Sequence, residues 1–216
     1  MAVLLGAALL AGLVGAGLML RDAGWPLCRA GYRARGLAAY CAFVAAGCVG
    51  IALALKLAYP GNTFFFNMRR ICLISLLLPA AFIDCKSYRI PNAFILAGLA
   101  YWAVLFAAEP LVTGAGGVAR AAAANLTAAG ALTAASLLCA AAMRGSVGPG
   151  DIKMFAVMGL LLSAEGVWCA ALFSLAAAFI ASLYLLATKR KTRKDTLPFA
   201  PALAAGTLLS VLLTGM

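Results

Sequence analysis

Histidine is absent from all 216 residues of this chain. That one absence removes Ser-His-Asp catalysis, His–Cys dyads and the H-E-x-x-H metallopeptidases, and with them the rhomboid-like and zinc-dependent intramembrane proteases. Acidic residues are nearly as scarce, six against 17 Lys and Arg. The seven cysteines, at 28, 41, 48, 72, 85, 139 and 169, include no C-x-x-C pair, so neither a zinc site nor a disulfide framework is indicated. Five of them lie in apolar stretches, where a thiol behaves as a small hydrophobe. No internal repeat, low-complexity linker or soluble domain interrupts the chain, and no basic n-region precedes its first apolar run, "MAVLLGAALLAGLVGAGLML". That run reads as a retained transmembrane helix. Chemistry here must come from carboxylates, lysines, hydroxyls or thiols.

What is present is grease. Hydrophobic residues make up 66% of the chain and charged ones 11%, with a mean hydropathy of +1.05. Soluble domains are about half apolar and about a quarter charged, so the expected class is all-α, a polytopic transmembrane bundle in a lipid bilayer. The net charge of +11 would suggest nucleic acid in a soluble protein. With no polar basic domain to carry it, nucleic-acid binding is not expected, and cytoplasmic loops of a multispanning chain account for the cations.

Apolar runs predict helices near 2–20, 37–58, 71–84, 92–108, 121–143, 152–163, 167–187 and 199–215. "SAEG" at 163–166 must break the sixth from the seventh; otherwise 152–187 would be one helix of roughly 54 Å in a bilayer core of about 30 Å. The runs 71–84 and 152–163 are short for full spans, so the count is six to eight, with eight favoured. In the eight-span arrangement one set of loops holds 13 of the 17 basic residues, leaving Lys56, Arg69, Arg70 and Arg120 to the other. The positive-inside rule then puts both termini outside and places "FIDCKSYRIPN" and "GSVGPGDIK" on the cytoplasmic side. The run "TKRKTRKD" reads as an anchor near anionic headgroups. All of 1–216 is expected to form a single integral membrane domain.

Asp22 and Asp195 lie in basic loops, and Glu109 and Glu165 in short outer ones, where solvation explains them. Asp84 and Asp151 differ: each abuts an apolar helix at the membrane edge, where an ionisable group is expensive and marks a functional candidate. Taken singly, Asp151 is explained as a helix cap and Asp84 as a boundary residue paired with Lys86 or Arg89. Together, on one side of the membrane and beside turns built from Gly148, Gly150 and Pro91, they read as the two carboxylates of an aspartic peptidase. Gly148 and Gly150 would permit positive φ or close approach, and Pro91 would pre-set the next helix. Helix dipoles favour Asp151 as the resting base and Asp84 as its protonated partner, whereas Lys86 and Arg89 argue for an ionised Asp84.

"GPGDIK" resembles the G-x-G-D-x-K of the type IV prepilin peptidases, which are GxGD intramembrane aspartyl proteases. "FIDCKSYRIPN" is similar to that family's first aspartate motif, and "PFAPALAAG" at 198–206 to the Pro-Phe-Gly-Pro-x-Leu stretch opening its last helix. The resemblance covers about residues 71 to 210. It implies a peptidase that cuts basic leaders from prepilins or pseudopilins at the cytoplasmic membrane face of a prokaryote, with Asp84 and Asp151 catalytic. Gly148, Gly150, Lys153, Pro91, Asn92, Pro198 and Pro201 would shape the site, with neither metal nor cofactor. Larger members carry two C-x-x-C pairs in the first cytoplasmic loop, associated with N-methylation; here "RDAGWPLCRAGYRARG" holds only Cys28, so peptidase activity alone is expected. The rival reading is a membrane transporter or binding protein with Asp84 and Asp151 as a cation or proton site.

Overall fold

A computed structural model describes residues 1–23, 34–114, 117–142, 148–189 and 196–215. Cys28, Arg29, Arg33, Arg144, Ser146 and the basic run 190–195 lie outside them. The described residues form eight α-helices and no strand: α1 (Ala2–Ala23), α2 (Ala34–Ala58), α3 (Phe64–Ser87), α4 (Asn92–Thr113), α5 (Val118–Ala142), α6 (Pro149–Leu161), α7 (Ala164–Ala187) and α8 (Ala200–Thr214). Six of these, all but α6 and α8, are long and apolar enough to cross a membrane. The protein is a polytopic helical bundle.

The helices alternate in direction. Gly12 of α1 meets Ala45 and Cys48 of α2, and Cys41 of α2 reaches the Ala16 carbonyl, so the two run antiparallel. α1 and α3 run parallel, with Gly15 against Ser75 and Asp22 paired with Arg89 at 3.6 Å. The close approach at Gly15 has a local cause: Pro79 has no N–H to give the Ser75 carbonyl one turn earlier, and a Cβ at position 15 would collide with that oxygen. Small residues bring backbones together in this way throughout membrane bundles.

α3 is the central helix. Within its most apolar window 83% of residues are buried inside the protein, against 11% for α4, whose surface faces outward. The sequence places Arg69 and Arg70 in an outer loop and starts this helix at 71. Instead Thr63 caps α3, its side chain accepting the Phe66 N–H at 3.3 Å, and both arginines fall in the second turn. Two extra turns make α3 full length. Arg69 pairs with Glu109 of α4 at 2.9 Å and lies over the Phe106 ring, so Glu109 is no loop residue either. Arg70 stacks on Phe66 and donates to the Gly215 carbonyl beyond α8. Hydrophobic patterning misses these turns because each arginine is satisfied by a polar group remote in sequence, Arg69 by Glu109 and Arg70 by the Gly215 carbonyl.

The break at "SAEG" is real: Ser163 caps α7 by accepting the Gly166 N–H at 3.0 Å. α7 and α8 pack antiparallel, with the Ser174 hydroxyl reaching the Leu203 carbonyl and that of Ser210 the Gly166 carbonyl. The ends of α1, α3, α5 and α7 and the starts of α2, α4, α6 and α8 consequently share one face.

Candidate active site

Asp84 occupies the last turn of α3, and Ile83 before it is fully buried. The helix stops because Tyr88 adopts the left-handed conformation (φ 52°), donating its N–H back to the Asp84 carbonyl at 2.9 Å. The chain then runs extended to Pro91, which caps α4 from outside rather than opening its first turn. Asp84 is only 5% exposed. No described cation pairs with it; Arg89 turns instead to Asp22, so neither the expected boundary pair for Asp84 nor a purely solvated Asp22 is found.

Asp151 lies in the first turn of α6 at the third helical position, with Gly148 as the cap. It is not the cap itself: its carboxylate reaches back to the Gly148 N–H, as the acidic member of a capping box does. Gly148 has φ −68°, so positive φ is not what either motif glycine supplies. Space is. A Cβ on Gly148 would sit 3.0 Å from Oδ2 of Asp151, and one on Gly150 would press to 3.2 Å from the Ile90 Cβ. The "GPG" turn thus brings α6 against the segment that leaves α3. Lys153 donates to Oδ1 of Asn92 at 3.2 Å, tying α6 to the start of α4.

These pieces enclose a crevice of about 280 Å³ lined by Asp84, Tyr88, Arg89, Ile90, Asn92, Gly148, Pro149, Gly150, Asp151 and Lys153. Both aspartates line it, with Gly148, Gly150, Asn92 and Lys153 of the sequence-predicted set; Pro91 adjoins it in the chain. Asp151 belongs to a helix outside the six membrane-length spans. Burial first, and then the charge of Asp84, push its carboxyl up to about 6, against the opposing pull of the Gly148 amide. A larger crevice of about 510 Å³ lies between α4 and α5, but its lining, around Trp102, Phe106 and Leu126, is apolar and holds no acid.

Pro198 and Pro201 flank the start of α8, and between them lies a contact that sequence reasoning missed. The Ala200 N–H donates to Oδ2 of Asp84 at 3.0 Å, with the Phe199 amide beside it, while the Phe199 ring packs on Phe155 of α6 at 5.7 Å between centroids. "PFAPAL" marks the segment, but the carboxylate it meets is 116 residues away. Among the described residues no group of three or more His, Cys, Asp or Glu is placed to hold a metal ion. Two carboxyls sharing a partly desolvated crevice, one ionised and one protonated, can activate water for attack on a carbonyl.

Comparison with known proteins points to a peptidase family. A profile described as the type IV leader peptidase family matches residues 71–186, just over half of the chain. A prepilin leader peptidase/N-methyltransferase of Bacillus subtilis (strain 168) is 35% identical over 181 residues, which cover 84% of this chain and 65% of that protein. The chain therefore matches less than two thirds of that relative's length. No solved structure matches it.

Proposed function

Since the chain belongs to the type IV leader peptidase family, we propose that it is a membrane aspartic endopeptidase that removes leader peptides from type IV prepilins or prepilin-like proteins. The observation that carries this reading is the convergence of Asp84 and Asp151, from α3 and α6, on one polar crevice at one end of the bundle. The ionised carboxylate takes a proton from water as its oxygen attacks the scissile carbonyl. The protonated partner hydrogen-bonds that carbonyl and gives up its proton as the tetrahedral intermediate forms. Collapse breaks the C–N bond: the proton first taken from water passes to the leaving amine, and one hydroxyl of the intermediate returns its proton to the partner carboxylate as the product carbonyl re-forms.

The crevice lies at the end of the bundle whose connecting segments and adjoining helix ends hold, in the sequence, 13 of the 17 basic residues, which supports a cytoplasmic orientation in a prokaryotic inner membrane. There it would meet the basic leader of a substrate whose apolar helix is still in the bilayer. N-methylation is not part of the proposal, because the segment between α1 and α2 holds one cysteine rather than two C-x-x-C pairs.

The test is an incubation of the protein in liposomes with a prepilin, followed by mass spectrometry. Wild type should produce a leader-sized mass loss, and Asp84→Asn and Asp151→Asn should each lower the rate by about a thousandfold or more while remaining inserted. Substantial leader removal by either single variant would refute the dyad.

A further inference from the structure

α8 is gripped by α3 at both ends. On α3 the two gripping residues, Arg70 and Asp84, are 14 positions and so about 21 Å apart. α8 has 15 residues and a matching length of about 22 Å. At one end the Asp84 carboxylate meets the Ala200 amide, and at the other the Arg70 guanidinium meets the Gly215 carbonyl. An anion therefore faces the positive pole of the α8 dipole and a cation its negative pole. Tyr59 adds its hydroxyl to the Leu212 and Leu213 carbonyls at 3.0 Å, and Asn62 its amide to Gly215. At mid-length Gly206 lies so close to the Ser174 backbone that a Cβ would collide. These contacts set the register of α8 against α3, with the first amide of α8 at Asp84.

We propose that the first turn of α8 is the positioning element of the dyad, its Ala200 amide fixing Asp84 as the ionised, water-activating carboxylate and leaving Asp151 to carry the proton. The assignment rests on the aspartic peptidase reading above and reverses the order that helix ends predict from sequence alone. In the sequence Asp84 stands at the negative end of α3, and nothing there places the positive end of α8 against it. A backbone amide donates only, and its bond to an anion is about twice as strong as one to a neutral acceptor. Asp84 has the Ala200 amide at 3.0 Å with that of Phe199 beside it, whereas Asp151 has that of Gly148.

The other charged and titratable groups around Asp84 do not reverse the order. Cys85 and Lys86 follow it on α3 and are exposed, and Tyr40 of α2 donates its hydroxyl to the Leu78 carbonyl. Arg89 is paired with Asp22 at the end of α1, Lys153 of α6 is engaged by Asn92, and Asp151 carries the like charge that forbids double ionisation.

The N–H of the first helical residue has no partner within its own helix, so its deletion breaks no bond of the α8 ladder. Replacing Ala200 by lactic acid through nonsense suppression converts that amide to an ester, which removes the N–H and weakens the Phe199 carbonyl as acceptor of the Leu203 N–H. The full-length protein in liposomes is assayed for kcat/KM on a prepilin across pH. With Asp84 as the base, the acid limb of the profile should move to higher pH by about one unit or more, the alkaline limb staying in place. The same ester change at exposed Ala205 should leave both limbs unmoved. An acid limb that does not move overturns the assignment, whether activity falls uniformly or only the alkaline limb shifts. If the acid limb stays while Asp84→Asn and Asp151→Asn remain inactive, the peptidase reading survives and only the ordering fails. Substantial cleavage by either Asn variant would sink the dyad and this assignment with it.

Discussion

Asp151 and the two glycines before it show how much one position decides. The carboxyl is raised to about 6 in the folded protein, from 3.8 for an ordinary aspartate, so between those values the native state binds more protons than the unfolded chain. Stability should therefore fall as pH rises through that window and level off above it, the reverse of a salt-bridged aspartate. Thermal unfolding midpoints in detergent between pH 4 and 7 should show this decline in wild type and not in Asp151→Asn; parallel curves would refute it. Gly150→Ala presses a methyl into Ile90, and through it onto the turn leaving Asp84. Since about 1 Å of misplacement can cost about a hundredfold in rate, kcat should drop on that scale with KM little changed. Full activity in Gly150→Ala would show that the turn tolerates the push.

At the scale of elements, α3 is built unlike its neighbours. It carries two buried arginines near one end and a buried aspartate near the other, 83% of its most apolar window lying inside the bundle. The Arg69–Glu109 pair, with side chains 8% and 13% exposed, holds the start of α3 to the end of α4. Removing one partner strands a buried charge and costs about 3–5 kcal/mol, whereas replacing both with apolar residues of similar size is close to neutral. Glu109→Met should accordingly unfold well below wild type, and Arg69→Met with Glu109→Met should recover most of the loss. A double variant as unstable as the single one would mean that the pair acts through something other than mutual charge compensation. α8 is the complementary case, a short helix whose own apolar pattern says nothing about the two side chains that clasp its ends.

For the whole molecule, alternation of eight helices places Ser87 and Thr113, at the ends of α3 and α4, on opposite faces. With the seven native cysteines replaced by serine, a cysteine at Ser87 should be labelled only from the cytoplasmic side and one at Thr113 only from outside. The reverse pattern would invert the proposed orientation. The cysteine-free protein, treated with chelator, should keep its peptidase activity, because neither thiol nor metal enters the proposed steps; a reaction stopped by chelation would require a different mechanism. The helical class and the eight apolar segments were legible in the sequence, because hydropathy is written residue by residue, and Asp84 and Asp151 were legible as candidates, because an acid at a membrane edge stands out against apolar neighbours. The close approach at "GPGD" was legible too, since a missing Cβ leaves room whatever comes to fill it. Tertiary structure alone decided that Arg69 and Arg70 belong inside α3, that Arg89 answers Asp22, and that α8 aims an amide at Asp84. Each of these is a pairing of groups far apart in the chain, and the free energy of a charge is set by the partner that folding brings to it.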